Sequence, residues 1–336
     1  MIRVVIAALV ALIVTIVVGP KFVAFLRRNE FGQPIREEGP AHHHRKQGTP
    51  TMGGLMILFA ATIGFLPVSH FRLQSLTVLF ATLACGAIGF LDDFVKLTHN
   101  RSLGLPGRWK LLLLACVTAV VAVVSYHLRL STEVYIPIVD VSMPLSWGWY
   151  PFLFLVIGGA SNGTNLADGV DGLAAGTAII ALFTFTAMNI VSYVRSSTHP
   201  AERNLTKLDL AIVGAALIGA AVGFLWFNAA PAEVFMGDTG AMAFGGALAT
   251  FAIMMKVEVL LLLIGGIFVI EALSVMIQVF TFKRFGRHVF LMTPIHHHFE
   301  MKAWSDTKIT IRFWIVAGLL CAAGFALYYR YYFAQI

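Results

Sequence analysis

The apolar residues of this chain occur in long, nearly unbroken blocks, and the polar residues are gathered in short stretches between them. A helix that crosses a membrane needs about 20 mainly apolar residues, whereas an amphipathic soluble helix shows an apolar stripe. We therefore predict an all-α integral membrane protein with about ten transmembrane helices. The predicted spans are 2–25, 52–71, 75–91, 109–126, 149–162, 172–194, 207–227, 240–256, 257–281 and 309–329.

Composition supports this class of protein. Hydrophobic residues make up 58% of the chain and charged residues 12%, whereas about 25% of the residues of a soluble domain are charged. No stretch between the blocks is long enough for a soluble domain, so residues 1–336 are expected to form a single membrane domain. Cys85, Cys116 and Cys321 all lie in apolar blocks, which indicates neither a disulfide framework nor a zinc site.

The basic residues predict how the chain lies in the membrane. Most of the 24 Lys and Arg residues are in odd-numbered loops, those after spans 1, 3, 5, 7 and 9. Because short loops rich in Lys and Arg stay in the cytoplasm, the odd-numbered loops are predicted to be cytoplasmic and both termini periplasmic. The net charge of +7 follows from this asymmetry. It gives no support for nucleic-acid binding, since the basic residues are scattered among loops that face a membrane.

Polar motifs with glycines occur in the same odd-numbered loops, and the even-numbered loops contain little that is comparable. The motifs are "RKQGTPTMGG" (45–54), "DDFVK" (92–96) with "GRWK" (107–110), "SNGTNLADGVDG" (161–172), "NAAPAEVFMGDTG" (228–240) and "TPIHHHFE" (293–300). Ordinary solvated loops would not segregate in this way. We therefore predict one composite site on the cytoplasmic face, built from loops and helix ends.

The carboxylates of these motifs suggest magnesium chemistry. Asp92, Asp93, Asp168, Asp171 and Asp238 offer hard oxygen ligands, and Mg²⁺ typically takes one or two carboxylates and leaves its other positions to water and phosphates. Asp168 and Asp171 would share a face if their segment is helical. The alternative is that Asp-Gly pairs form turns and that an Asp caps the next helix.

Asp92 and Asp93 raise a separate question, because they end a predicted helix. The negative end of the helix dipole disfavours carboxylates there. A cation is therefore expected beside them, either Lys96 or a metal ion.

Three predicted helices begin behind the glycine-rich motifs "GTPTMGG", "DGVDG" and "MGDTG". Helix N-termini present backbone amides and a positive dipole end, and this arrangement suits phosphate. Lys46, Arg108 and Lys110 add positive charge nearby. Basic residues beside a bilayer often only hold a helix at the lipid surface, and this alternative is favoured for Lys110.

Three further features have a less direct interpretation. His296, His297 and His298 are neighbours that cannot all point one way, so a role in phosphate binding, sugar binding or proton handling is favoured over one shared metal ion. Asn228 and Phe235 are of the residue types that bind a planar base, by hydrogen bonding and stacking. Glu271 lies inside a predicted span, where a charge costs about 3 kcal/mol, and it is expected to be protonated, paired or at a helix break rather than catalytic.

At these motifs the chain closely resembles the phospho-N-acetylmuramoyl-pentapeptide transferase family. The similarity covers "GTPTMGG", "DDFVK", "NLADGVDGLA", "FNAAPAEVFMGDTG" and "TPIHHHFE", in the order of the family. It implies Mg²⁺-dependent transfer of phospho-MurNAc-pentapeptide from UDP-MurNAc-pentapeptide to undecaprenyl phosphate, with release of UMP. It also implies a multi-pass enzyme of the bacterial plasma membrane that works in contact with the lipid bilayer, and it leaves a homodimer open.

The resemblance also implies roles for individual residues. Asp238 would be the principal magnesium ligand, and Asp92 and Asp93 would flank the lipid phosphate and contribute to the metal site, with Asp92 as a base. His296 is placed with these three as catalytic. The nucleotide and sugar-phosphate pocket would be lined by Lys46, Thr51, Arg108, Asn165, Asp168, Gly169, Asp171, Asn228, Phe235, Gln278, His297 and His298. Loop 3 departs from the family pattern, with Asn100 and Leu103 where basic residues are common.

Two other functions are compatible with parts of the pattern. A transferase that moves N-acetylglucosamine phosphate would share the aspartate motifs, but the histidine loop counts against it. A metal or ion transporter would use carboxylates and histidines, but transporters usually place them near the bilayer midplane. The sequence counts against a CDP-alcohol transferase, because "DGVDGLAAG" lacks the Ala-Arg expected after its first Asp-Gly.

Overall fold

The computed structural model describes residues 1–29, 48–99 and 104–332, and over these residues the protein is almost entirely helical. The longer helices are α1 (Ile2–Arg28), α2 (Gly54–Phe65), α3 (Leu73–Thr98), α4 (Gly107–His127), α5 (Trp149–Leu166), α6 (Leu173–Arg195), α7 (Leu205–Asn228), α8 (Gly237–Met255), α10 (Gly266–Phe285) and α12 (Asp306–Leu327). The short helices are α9 (Leu261–Ile264) and α11 (Ile295–Glu300). Between α4 and α5, strands β1 (Glu133–Ile136) and β2 (Val141–Pro144) form an antiparallel hairpin, in which Glu133 is opposite Pro144.

A helix occurs at each of the predicted spans. Within the described residues, eight helices are long and apolar enough to cross a membrane, and Gly54–Val68 is a shorter apolar helix. The prediction of an all-α, multi-pass membrane protein is therefore confirmed. The number of spans and their orientation stay predictions.

The predicted span 257–281 is the one that the structure divides. Helix α8 ends at Lys256, whose backbone adopts the left-handed conformation with φ of 58°. A 3₁₀ turn and α9 follow, and Gly265 separates them from α10. The sequence did not predict this break, because a uniformly apolar segment has no hydrophobic periodicity that would change where the helix axis changes.

Helix α8 forms the core of the protein, and all of its residues are buried. Its sequence "GDTGAMAFGGALATFAIMM" has small residues on every side, and small residues let membrane helices approach closely. Helices α2, α3 and α5 pack around α8, while α7 packs against α1 and α6. The ends of α3 and α8 therefore meet in the interior.

Gly89 sets the distance between α3 and the start of α8. A Cβ atom at this position would lie 2.1 Å from the carbonyl oxygen of Asp238, which is far inside van der Waals contact. Because glycine leaves this space empty, the last turns of α3 lie directly against the first turn of α8. The carboxylates of Asp92 and Asp93 are thereby brought beside Asp238.

The opposite end of the helices is held by other polar contacts. Asp209 of α7 is fully buried and accepts hydrogen bonds from the amides of His70 and Arg72, at 2.6 and 3.0 Å. Lys256 donates to the Glu133 carbonyl at 2.9 Å and lies 3.1 Å from the Glu258 carboxylate. These contacts fix the connections at the end that carries the hairpin.

Candidate active site

Asp93 fastens the C-terminal part of α3 to the N-terminus of α8. Its carboxylate accepts hydrogen bonds from the backbone amides of Asp238 and Thr239, at 3.2 and 3.0 Å, and from the Thr239 hydroxyl at 2.7 Å. A carboxylate at a helix N-terminus satisfies amides that have no partner inside the helix and is stabilised by the helix dipole. The structure therefore gives Asp93 a capping role. Its catalytic and metal-binding roles remain predictions.

Asp92 faces two lysines and Asp238. The Lys96 ammonium lies 2.7 Å from the Asp92 carboxylate and 3.1 Å from that of Asp238. Lys110 lies 3.1 Å from Asp238 and 3.6 Å from Asp92. The cation expected beside Asp92 and Asp93 is thus provided by Lys96, with Lys110 added.

Lys110 does not have the role that the sequence favoured. It was expected to hold α4 at the lipid surface, but its ammonium lies beside the carboxylates of Asp92 and Asp238. These two carboxylates, with Lys96 and Lys110, form the carboxylate cluster. The reason is electrostatic: two carboxylates at short range attract a lysine from a neighbouring helix more strongly than a lipid surface does. The amide of Leu105, at the start of the same segment, also donates to Asp92 at 2.9 Å.

Asp168 and Asp171 lie on a turn between α5 and α6, so the helical arrangement considered for them is wrong. Gly172 ends this turn with a φ of 75°. Asp171 accepts a hydrogen bond from the amide of Ala232 at 3.1 Å. The turn alternative, in which Asp-Gly pairs reverse the chain, is the one that the structure shows.

Asn228, at the end of α7, joins this turn to the loop before α8. Its side-chain oxygen accepts from the Gly172 amide at 3.1 Å, and its side-chain nitrogen donates to the Val234 carbonyl at 2.9 Å. Asn228 therefore holds the turn between α5 and α6 against the loop before α8. Its predicted contact with a base stays a prediction.

The carboxyl of Asp168 lies among like charges. Burial, together with repulsion from the carboxylates of Asp238 and Asp93, raises the pKa of Asp168 to about 8. The raised pKa favours the protonated form of the Asp168 carboxyl at neutral pH. An excess of negative charge at this point is a condition that favours binding of a cation.

The amides at the starts of α2, α6 and α8 are used within the protein. Gly53 and Gly54 donate to the carbonyls of Phe235 and Met236, both at 2.9 Å. The amides of Gly172 and Asp238 donate to side chains, as described above. The phosphate cradle of unpaired amides that the sequence suggested is therefore not formed by these donors, because buried amides take protein partners.

The remaining residues of the predicted pocket have different environments. Phe235 is half-buried, and its backbone pairs with Pro50 and Gly53. Thr51 is buried, and its hydroxyl has no hydrogen-bond partner among the described residues. Asn165 is half-buried at the end of α5, and Arg108 is exposed at the start of α4. Lys46 lies outside the described residues, as do Asn100 and Leu103.

The three histidines point to different partners, as predicted. His296 Nδ1 lies 3.0 Å from the Glu271 carboxylate, and His297 pairs with Glu300. His298 Nδ1 accepts a hydrogen bond from the Leu291 amide at 3.1 Å. Their divergence follows from the turn angle between neighbouring residues of a helix.

Gln278 shapes the segment between α10 and α11. Its side-chain oxygen accepts from the amides of Val289 and Phe290, both at 3.0 Å, and its nitrogen donates to the Phe290 carbonyl at 3.0 Å. These contacts occupy the amide of Gln278. Its predicted substrate contact stays a prediction.

The donor set of the cluster fits magnesium. Within the described residues no group of three or more His, Cys, Asp or Glu side chains surrounds a common point. However, the carboxylates of Asp92 and Asp238 both lie within 3.1 Å of the Lys96 ammonium. Two converging carboxylates are sufficient for Mg²⁺, whose other ligands are usually water and phosphate oxygens.

Sequence reasoning missed Thr239 and did not name the partner of Glu271. Thr239 follows Asp238 directly in the first turn of α8 and donates twice to Asp93. Glu271 was expected to be protonated, paired or at a helix break, and it pairs with His296.

Comparisons with known proteins agree with the motifs. Residues 75–256 match the family model for Glycosyl transferase family 4, and residues 46–58 match the Phospho-N-acetylmuramoyl-pentapeptide-transferase signature 1. A relative with the name Phospho-N-acetylmuramoyl-pentapeptide-transferase from Halalkalibacterium halodurans is 46% identical over 322 residues, which cover 94% of each chain.

Further relatives carry the same name. The protein from Geobacillus kaustophilus is 45% identical over 325 residues, covering 96% of each chain. The protein from Bacillus subtilis is 42% identical over 318 residues, covering 94% of each chain. Identity of this extent, over nearly the full length, shows that the chain belongs to the phospho-N-acetylmuramoyl-pentapeptide-transferase family.

Proposed function

We propose that this protein transfers phospho-MurNAc-pentapeptide from UDP-MurNAc-pentapeptide to undecaprenyl phosphate in peptidoglycan synthesis. An oxygen of the lipid phosphate forms a bond to the phosphorus that carries the sugar, and the bond from that phosphorus to UMP breaks. The products are the lipid-linked diphosphate and UMP. The observation that carries the proposal is the cluster of Asp92, Asp238, Lys96 and Lys110 at the ends of membrane helices.

The position of this cluster suits one lipid substrate and one soluble substrate. The cluster lies at the end of α3 and the start of α8, where a lipid phosphate at the membrane surface and a nucleotide from the aqueous side can meet. We place this end of the helices in the cytoplasm, at the bacterial plasma membrane, because the odd-numbered loops carry most of the basic residues.

The charges of the cluster match the demands of the reaction. Two phosphorylated substrates bring several negative charges together, and Lys96 and Lys110 provide positive charge at that point. Asp238 and Asp92 would hold Mg²⁺, which when bound neutralises phosphate charge and polarises the phosphoryl group. Direct attack by the lipid phosphate and prior attack by an aspartate both fit this arrangement, and Asp92 is the proposed base.

The nucleotide would lie along the loop before α8. Phe235 is half-buried beside the start of α8, and its aromatic ring is the proposed stacking partner of uracil. The turn with Asp168, Gly169 and Asp171 would border the nucleotide, and His296 packs on Gly169 of this turn. We also propose that residues 1–336 form a single membrane domain that contains the whole site.

Asp238→Asn and Asp92→Asn test the proposal. Each substitution removes one negative charge from the cluster, so each is expected to lower UMP release about 100-fold or more. The assay uses purified protein with UDP-MurNAc-pentapeptide, undecaprenyl phosphate and Mg²⁺, with and without a chelator. Asp140→Asn, the same change at the exposed hairpin, is the control and should leave the rate unchanged.

The outcomes separate the proposal from its alternatives. Near-normal turnover in both variants, with their helical content and melting temperature kept, would contradict the metal site. Faster use of UDP-GlcNAc than of UDP-MurNAc-pentapeptide would favour the N-acetylglucosamine-phosphate transferase. Ion flux in proteoliposomes without any lipid product would favour a transporter.

A further inference from the structure

Glu271 of α10 and His296 of α11 form a pair that is completely enclosed. Both residues have 0% exposure, and His296 Nδ1 lies 3.0 Å from Glu271 Oε1. Each side chain has a second polar atom, Glu271 Oε2 and His296 Nε2, which is buried and has no hydrogen-bond partner among the described residues. A buried polar atom without a partner is unfavourable, so a partner is expected in some functional state.

The number of protons on this pair determines whether His296 Nε2 is a hydrogen-bond donor or an acceptor. An enclosed pair is least costly when its net charge is zero. In a pair of zero net charge, either a carboxylate faces an imidazolium or a carboxylic acid donates to Nδ1 of a neutral ring, and in both arrangements Nε2 carries a hydrogen. A carboxylate that faces a neutral ring protonated on Nδ1 has a net charge of −1 and leaves Nε2 as an acceptor. The net-neutral pair is the one that gives His296 Nε2 the role of a hydrogen-bond donor.

His296 Nε2 points at the turn between α5 and α6. A Cβ atom at Gly169 would lie 2.3 Å from Nε2, so the imidazole packs directly on the Gly169 backbone. The carboxyl of Asp168, the preceding residue, has its pKa raised by burial and by repulsion from Asp238, and lowered by the Gly237 amide. The turn thus lies between His296 and the carboxylate cluster.

We propose that Glu271 is a positioning residue, which holds His296 so that its Nε2–H donates to an oxygen of the phosphorylated sugar donor beside Gly169. This inference rests on the proposed function, since it names a contact of the same donor. Glu271 does not touch the substrate and acts through the imidazole. Because Gly169 has no side chain, the backbone of the turn lies directly against His296 Nε2.

Three variants test the coupling: Glu271→Met, His296→Leu and the two combined. Each single change leaves one buried polar partner unpaired, so each should lower the melting temperature. Each should also lower kcat/KM for UDP-MurNAc-pentapeptide about 10-fold or more, and the KM for undecaprenyl phosphate should stay unchanged. The combined variant should regain melting temperature, because no unpaired group remains, but its kcat/KM should stay at the His296→Leu level.

Glu258→Met is the matched control. Glu258 is also buried and paired, with Lys256 at 3.1 Å, but it lies at the hairpin end of the helices. It should lose stability and keep kcat/KM per folded molecule. Recovery of wild-type kcat/KM in the combined variant, or a loss in Glu271→Met no larger than in the control, would show that the pair is only structural.

Nitrogen NMR of the ¹⁵N-histidine-labelled protein gives an independent readout. The signals that disappear in His296→Leu identify the His296 ring. A proton on Nε2 is expected in the wild type, and a bare Nε2 lone pair would overturn the inference. If the wild type itself released no UMP, the proposed function would fail, whereas the NMR result would still decide the state of the pair.

Discussion

Asp92 and Asp93 are adjacent in the chain, yet their carboxylates have different partners. Successive helical residues point about 100° apart, so Asp93 meets the amides of α8 while Asp92 meets two lysines. One carboxylate stabilises the contact between two helices, and the other faces the space where charge is needed. Adjacent acidic residues at the end of an apolar helix therefore have a structural and a chemical explanation at once.

Asp168 predicts a pH dependence of stability. Its pKa is raised from 3.8 to about 8, so between these pH values the folded state holds a proton that the unfolded state has lost. The free energy of unfolding therefore falls as pH rises through this window and levels off above it. In metal-free buffer the melting temperature should fall about 3 °C or more between pH 5 and 8. In Asp168→Asn the fall should be clearly smaller; parallel curves for the two proteins would contradict the assignment.

At this scale the sequence located the acidic residues but not their partners. Asp92, Asp168, Asp171 and Asp238 were found because polar motifs interrupt apolar blocks. The pairing of Lys110 with Asp238, 128 positions apart, and of Glu271 with His296, 25 apart, depends on which helices pack together. Local patterns do not contain that information.

The close packing of α3 on α8 predicts the effect of one methyl group added at Gly89. In Gly89→Ala the new Cβ would meet the Asp238 carbonyl, which belongs to backbone and cannot rotate away. Helices α3 and α8 must then separate, and we expect a loss of about 1–3 kcal/mol in stability with a 10-fold or greater loss of UMP release.

Gly318→Ala, where no atom lies within 4 Å of the added Cβ, is the control and should keep both properties. Thermal melting and turnover, measured on the same preparations, check the prediction. Normal turnover in Gly89→Ala would mean that the approach of the two helices does not set the geometry of the cluster.

The elements themselves were largely predictable, because apolar blocks of sufficient length form helices in a membrane. The exceptions have local causes. The break after Lys256 depends on one left-handed residue, and the turn that carries Asp168 and Asp171 ends at the left-handed Gly172. Neither changes the hydrophobic pattern from which the spans were predicted.

For the whole molecule, the two ends of the helices are predicted to face different compartments. Arg108 is exposed at the end with the cluster, and Ser142 is exposed on the hairpin. With exposed Cys116 replaced by serine, Ser142→Cys should react with a membrane-impermeant thiol reagent in intact cells. Arg108→Cys should react only after the membrane is permeabilised. The reverse pattern would place the cluster in the periplasm.

The two ammonium groups beside Asp92 and Asp238 also bear on how the protein is handled and stored. Their positive charge already offsets the repulsion that would otherwise open the junction of α3 and α8. If Asp92 and Asp238 hold Mg²⁺ as proposed, removing divalent ions should therefore leave an intact, inactive protein, and adding them back should restore turnover without refolding. On the same proposal, a newly inserted copy is fully folded before the ion binds.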